Sequence, residues 1–194
     1  VNPYTFIDPL SPIDWDDWGF DATNIDLEIG SSSGLFLQHY ARAFPDRHIV
    51  GVEVRKPLVE TANLRLQRDG IQNARVIYGS AERVIQDAFQ SPIIQSVYVF
   101  HPDPWFKKRH HNRRVIRPEL LGMLEPKLRP QARLYLSTDV PELALWMQHV
   151  LAHRPHWTPL PDNGFFDSHY HTNWARFSQQ DLRTEWTGLY GYQV

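Results

Sequence analysis

Apolar runs and helical spacings alternate along most of the chain. Ile25–Ile29, closed by Gly30, reads as a short buried strand. Leu35, Phe36, Leu37, Tyr40, Ala41 and Phe44 then recur at helical spacing, predicting a helix over 34–44 that Pro45 stops. The same alternation predicts strands over 48–54, 74–78, 93–100 and 132–137, with helices over 56–69, 81–89, 114–128 and 141–153. Strands and helices in this order imply βαβ units and a doubly wound, mostly parallel α/β sheet with helices on both faces.

Both ends read differently. Residues 1–24 are rich in Pro, Asp and Trp without a period, an irregular lead-in. Residues 155–194 are aromatic and polar, and return as one or two strands near 186–193. Neither a linker nor a repeat divides the 194 residues, so one domain over 1–194 is expected. There is no cysteine, which excludes disulfides and thiolate metal sites. Without an apolar run near the roughly 18 residues of a membrane helix, no membrane partner is expected, and the expected location is the cytoplasm.

The net charge of −2 conceals an asymmetry. Residues 1–41 carry Asp8, Asp14, Asp16, Asp17, Asp21, Asp26 and Glu28 and no Lys or Arg. Residues 107–117 carry Lys107, Lys108, Arg109, Arg113, Arg114 and Arg117 and no acid. A basic block in a near-neutral chain points to one face that meets an anion; taken alone, it reads rather as a solvated loop, and the neighbouring motif changes that.

In an open parallel sheet, ligands bind outside the carboxyl ends of the strands, so residues that follow strands are the candidates. Glu28-Ile29-Gly30-Ser31-Ser32-Ser33-Gly34 follows the first strand, and Glu53 ends the second. An ionised carboxylate at Glu53 can accept both hydroxyls of a ribose. The loop lacks two glycines of a dinucleotide fingerprint, and Glu28 would repel a pyrophosphate. An acid there suits a ligand with a cationic portion and a ribose, and S-adenosylmethionine has both. Ser80, after the third strand, is either a polar partner for an adenine edge or a helix N-cap. After the fourth strand, Pro102 and Pro104 restrict the backbone around Asp103 and aim a carboxylate into the cleft, with the basic block beyond it. His169-Tyr170-His171 lacks a further ligand at helical spacing, so no metal is expected.

Taken together, Glu28-Ile29-Gly30 with Gly34, Gly51-Val52-Glu53-Val54-Arg55, Pro102-Asp103-Pro104-Trp105 with Lys107, Arg109-His110 with Arg113-Arg114, and Thr138-Asp139 resemble the bacterial tRNA (guanine-N7-)-methyltransferase family. The resemblance runs from about Ile25 to Asp139, and its specific part is the PDPW–K–RH–RR signature. It implies a Rossmann-like class I methyltransferase that uses S-adenosylmethionine, yields S-adenosylhomocysteine, and methylates N7 of a variable-loop guanine in tRNA, as a monomer or homodimer. It further implies Asp103 as the catalytic acid, and cofactor contacts at Glu28, Gly30, Gly34, Glu53, Ser80 and Asp103. The implied substrate contacts are Lys107, Asp139 and a T-x-x-E element whose positional match is Thr172, Asn173, Trp174 and Ala175. Lys108, Arg109, His110, Arg113 and Arg114 are expected on the RNA backbone. The sequence departs from the family pattern at Ser32, Ser80, Phe106 and Ala175; Glu185 is near enough in sequence to replace the carboxylate absent at Ala175. A tRNA-binding paralogue without catalysis, or a class I methyltransferase for another substrate, are the alternatives.

Overall fold

The computed structural model describes residues 12–170, 172 and 185–193. Seven strands form one sheet in the order β3-β2-β1-β4-β5-β7-β6: β1 Ile25–Ile29, β2 His48–Glu53, β3 Ala74–Tyr78, β4 Ile94–Phe100, β5 Leu128–Thr138, β6 Trp157–Leu160 and β7 Trp186–Tyr192. Strands β1 to β5 pair in parallel, and β7 runs antiparallel to both β5 and β6. The expected doubly wound, mostly parallel sheet is therefore present. No helix among the described residues is long and apolar enough to cross a membrane.

Every residue of β1 is buried, as a central parallel strand covered on both faces requires. Helices α1 (Leu35–Ala43) and α2 (Lys56–Arg68) place Phe36, Leu37, Tyr40, Val59, Ala62 and Leu66 on one face of the sheet. Helices α3 (Ala81–Ala88), α4 (Pro118–Leu124) and α5 (Pro141–Ala152) cover the other with side chains such as Val84, Leu120 and Met147. One polar side chain inside this framework is fully paired. Asp26 of β1 is 0 % exposed and accepts two bonds from Arg47, at 2.7 and 2.5 Å, and one from the Tyr40 hydroxyl at 2.5 Å. Burial nevertheless holds its carboxyl above the ordinary range.

Two expectations need correction. The helix expected over 114–128 is α4 alone, flanked by 3-10 helices at Lys108–Arg113 and Glu125–Lys127. Pro118 fits the first turn of a helix but not its interior, and Pro126 likewise opens the second 3-10 turn. The tail contains more order than the sequence suggested, because β6 and the single-turn α6 (Phe165–Ser168) precede β7. The lead-in, described from residue 12, has no regular element, as expected, and Phe20 in it is buried and stacks on the His48 ring at 4.6 Å.

Strand β2 packs so closely under the β1–α1 loop that Gly51 has no room for a side chain. A Cβ there would lie 2.8 Å from both Ser31 Cβ and Oγ and 3.1 Å from Leu37 Cδ1. Gly51→Ala is expected to cost about 1–3 kcal/mol, read in urea as a lower midpoint at unchanged slope. An unchanged midpoint would show that the loop does not rest on this strand.

Candidate active site at the carboxyl ends of the strands

Parallel pairing sends the carboxyl ends of β1, β2 and β4 to one edge, and each end delivers an acid. Glu28 of β1 is 4 % exposed and lines a hollow of about 330 Å³ with Gly30, Ser32, Phe100, His101 and Thr172. Its Oε2 is buried with no hydrogen-bond partner among the described residues. Burial first, and neighbouring Glu53 second, push its carboxyl well above the usual range and favour the protonated form. Gly30 takes φ 86° and Gly34 φ 75°, left-handed values open to glycine, and Ser32 between them takes φ 49°. A Cβ on Gly34 would meet Ala62 Cβ at 3.0 Å, so this position also sets the distance between α1 and α2.

Glu53 is buried, not the surface acid its neighbour Arg55 could suggest. Its Oε2 accepts the Ser32 backbone N–H at 2.9 Å, and its Oε1 accepts the Arg55 backbone N–H at 2.9 Å and Nε–H at 3.0 Å. The carboxylate therefore orders the glycine loop on one side and binds a guanidinium on the other. The Arg55 side chain is 63 % exposed and is tied by its hydrogen bonds to Glu53, with the Asp103 charge nearby. Ser80 caps α3, its Oγ accepting the Arg83 N–H at 3.3 Å, so the N-cap reading of this residue is present in the structure.

Asp103 is exposed on the loop after β4. It lines a hollow of about 530 Å³ that also contains Gly30, Glu53, Gly79 and Ser80. It lines a second hollow, of about 440 Å³, with Pro104, Phe106, Lys107 and His110. Left-handed residues bracket the loop, His101 at φ 46° and Trp105 at φ 45°. Such conformations cost about 1–3 kcal/mol each and persist only where the surroundings hold them.

Arg114 does much of this holding. It is 1 % exposed, so its expected place on an RNA backbone is wrong. Its Nε–H donates to the Pro104 carbonyl at 2.9 Å, Nη2 lies 2.6 Å from Glu142 Oε1, and the guanidinium sits 5.0 Å over the Trp146 ring. The pair holds the Glu142 carboxyl below the usual range. By contrast, Lys107, Lys108, Arg109 and Arg113 are exposed, and His110 is half-buried. Arg113 lies 5.0 Å over the Trp105 ring, and His110 meets its edge at 5.7 Å.

A further cluster, which the sequence did not reveal, joins the ends of β4, β5 and β7. His101 Nε2 is 2.7 Å from Glu185 Oε1 and 2.5 Å from the Tyr170 hydroxyl. That hydroxyl also meets Ser137 Oγ at 2.6 Å and donates to Glu185. Asp139 Oδ1 lies 3.6 Å from His101 Nδ1. Thus Asp139, Thr172 and Glu185 come to the same edge as Glu28 and Asp103, whereas Asn173, Trp174 and Ala175 lie outside the described residues. His169 turns away from Tyr170 and packs on the Phe44 ring at 4.7 Å. A hollow of about 560 Å³ lies elsewhere, at the amino ends of β4 and β5 beside Arg47, Ser96 and Arg133. It is as large as the cleft at the carboxyl ends but contains none of the three acids, so volume does not select the site.

The fold matches solved methyltransferases. The 16S rRNA methyltransferase KamB superposes with a TM-score of 0.69 at 17 % identity, covering 98 % of this chain and 95 % of that one. A SAM-dependent O-methyltransferase from Thermotoga maritima gives 0.58 at 11 % identity, covering 95 % and 67 %. Sheet order and covered faces thus define a Rossmann-like class I methyltransferase fold. A family model described as "Putative methyltransferase" matches residues 22–183. The tRNA (guanine-N(7)-)-methyltransferase of Nitrosococcus oceani is 38 % identical over 160 residues, covering 82 % of this chain and 68 % of that protein. Those of Synechococcus sp. (strain JA-3-3Ab) and Microcystis aeruginosa are 37 % and 33 % identical, covering 72 % and 80 % of this chain and 61 % and 77 % of their own lengths. The chain belongs to the tRNA (guanine-N(7)-)-methyltransferase family.

The split of the basic block into buried and exposed members has a measurable consequence. Arg114→Lys is expected to lower the melting temperature while leaving the salt dependence of RNA binding unchanged. Lys108→Ala and Arg109→Ala should leave stability alone and each reduce the slope of log K against log salt by about 1. A reduced slope in Arg114→Lys would return that residue to the RNA.

Proposed function

We propose that this chain transfers a methyl group from S-adenosylmethionine to N7 of a guanine in tRNA, and that Asp103 is the group around which the transfer is organised. The observation that carries this reading is the position of Asp103 on the wall shared by two hollows. One reaches back to Glu53 and Ser80, and the other opens toward the exposed cations.

The cleft suits the cofactor. Glu28 supplies a buried acid oxygen without a partner among the described residues, and a Cβ at Gly30 would meet nothing described within 4 Å, so the loop leaves open space for a ligand. S-adenosylmethionine would supply a methyl group on a cationic sulfur. Glu28 faces the cationic portion. Glu53 would accept the ribose hydroxyls once Arg55 turned into solvent, a motion its exposure permits. Gly79 and Ser80 line the same hollow and would meet the adenine.

Guanine N7 has a lone pair and no proton, so no residue has to act as a base on it. What the protein supplies is alignment and a fixed negative charge near the purine, which gains positive charge as the methyl arrives. Asp103 provides that charge. Asp103 and Asp139 can also accept from guanine N1–H and its amino group, donors that adenine does not offer in this pattern. Lys107, Lys108, Arg109 and Arg113 neutralise phosphates. A stacked guanine must leave its stack at a cost of a few kcal/mol, which those contacts offset.

The direct test is labelled methyl transfer to unmodified tRNA transcripts, followed by nucleoside analysis. The expected product is 7-methylguanosine; methylation at another position or no transfer to RNA would refute the reading. In Asp103→Asn, turnover should fall by about 10²–10³-fold, the scale of removing one preorganised electrostatic group, with cofactor affinity within a few-fold. Near-normal turnover would remove Asp103 from its role.

Proton linkage tests Glu28 separately. Its carboxyl is raised in the ligand-free protein, and a neighbouring cation favours the ionised form. Cofactor binding should therefore release a proton and tighten as pH rises from the ordinary carboxylate range toward the raised value. Calorimetry in buffers of different ionisation enthalpy reads the release, and Glu28→Gln should remove that part of it. Equal release from the variant would place the proton elsewhere.

A further inference from the structure

Phe106 is 65 % exposed, although it follows a strained turn in the most tightly braced loop of the site. It makes no ring–ring contact among the described residues. Trp105, beside it, is already engaged: Arg113 lies 5.0 Å over its ring, and the His110 ring packs against it at 90°, 5.7 Å between centroids. Phe106 lines the outer hollow of about 440 Å³ with Asp103, Lys107 and His110, and the exposed Lys108 and Arg109 follow directly. An exposed aromatic face among exposed cations matches a single-stranded nucleic acid: the cations take phosphates, and the ring takes the π-face of a base. A base that has left its stack loses its stacking neighbours, and a ring at the mouth of the pocket offers one of its faces a replacement.

We infer that Phe106 is a base-stacking platform, which holds an unstacked nucleobase of the bound RNA at the entrance beside Asp103. This rests on the proposed tRNA substrate. Stacking on an aromatic side chain is worth about 5- to 150-fold in affinity per base. Unlike a phosphate contact, it leaves the salt slope unchanged.

The test compares wild-type protein with Phe106→Ala, Phe106→Leu and Phe106→Trp, with tRNA binding measured across a salt series and melting temperature, cofactor affinity and solution mass measured beside it. Stacking predicts that Ala and Leu lose about 5- to 150-fold in tRNA affinity. Trp should retain affinity, and salt slope, cofactor affinity, melting temperature and mass should stay unchanged. Leu retains apolar bulk without a π-face, so a Leu variant that binds as wild type overturns the proposal, as does an Ala variant that does so. A loss accompanied by a change in mass assigns Phe106 to contact between copies of the chain and also overturns it. If wild-type protein methylates tRNA while Ala binds normally, only the stacking fails. If wild-type protein neither binds nor methylates tRNA, the proposed function fails with it.

Discussion

Parallel register is the constraint on which the rest of the molecule depends. Glu28 pairs with Gly51 on β2 and with Tyr98 on β4, and Phe100 pairs with Ser137 on β5. Strands aligned this way must finish at one edge, so acids carried at or just after their ends meet there. Three acids in one cleft repel, and the protein answers each differently. Glu28, whose Oε2 meets no donor among the described residues, is biased toward its protonated form. Glu53 receives Arg55 and the Ser32 amide. Asp103 remains near solvent. An edge arranged in this way is suited to a cationic ligand, which brings the charge that the acids lack.

The second requirement is a loop that stays where the sheet ends. His101 and Trp105 hold left-handed conformations, and Arg114, Glu142 and Trp146 brace the loop from behind. A buried guanidinium is costly to desolvate unless it is well paired and hydrogen-bonded, and here it has a carboxylate, a carbonyl and a ring. The basic block therefore has two functions that its composition does not separate. Arg114 orders the loop from the interior, while Lys107, Lys108, Arg109 and Arg113 stand at its rim.

Much of this was legible in the sequence, and the reasons are physical. Strands β1 and β3 were read with the bounds they have, because short apolar runs closed by glycine have few alternatives. The positions of Glu28, Glu53 and Asp103 followed from the rule that sites lie after parallel strands. The helix over 114–128 was read too long because apolar spacing continued across Pro118 and Pro126, where the backbone cannot continue a helix. Arg114 could not be told from its neighbours, since its partner Glu142 lies 28 residues along the chain and charge alone says nothing of burial. The cluster of His101, Ser137, Tyr170 and Glu185 was equally hidden, being assembled from four separate segments. Only the Pro-Asp-Pro restriction hinted that residues near 101 would be strained.

Under the proposed function, the Glu53 carboxylate would exchange Arg55 for a ribose. A crystal structure with S-adenosylhomocysteine tests this directly. The account predicts ribose hydroxyls within hydrogen-bond distance of both Glu53 oxygens, the amino acid portion beside Glu28, and the Arg55 side chain turned into solvent. Arg55 still paired with Glu53, or the ligand bound away from the ends of β1 and β2, would contradict it.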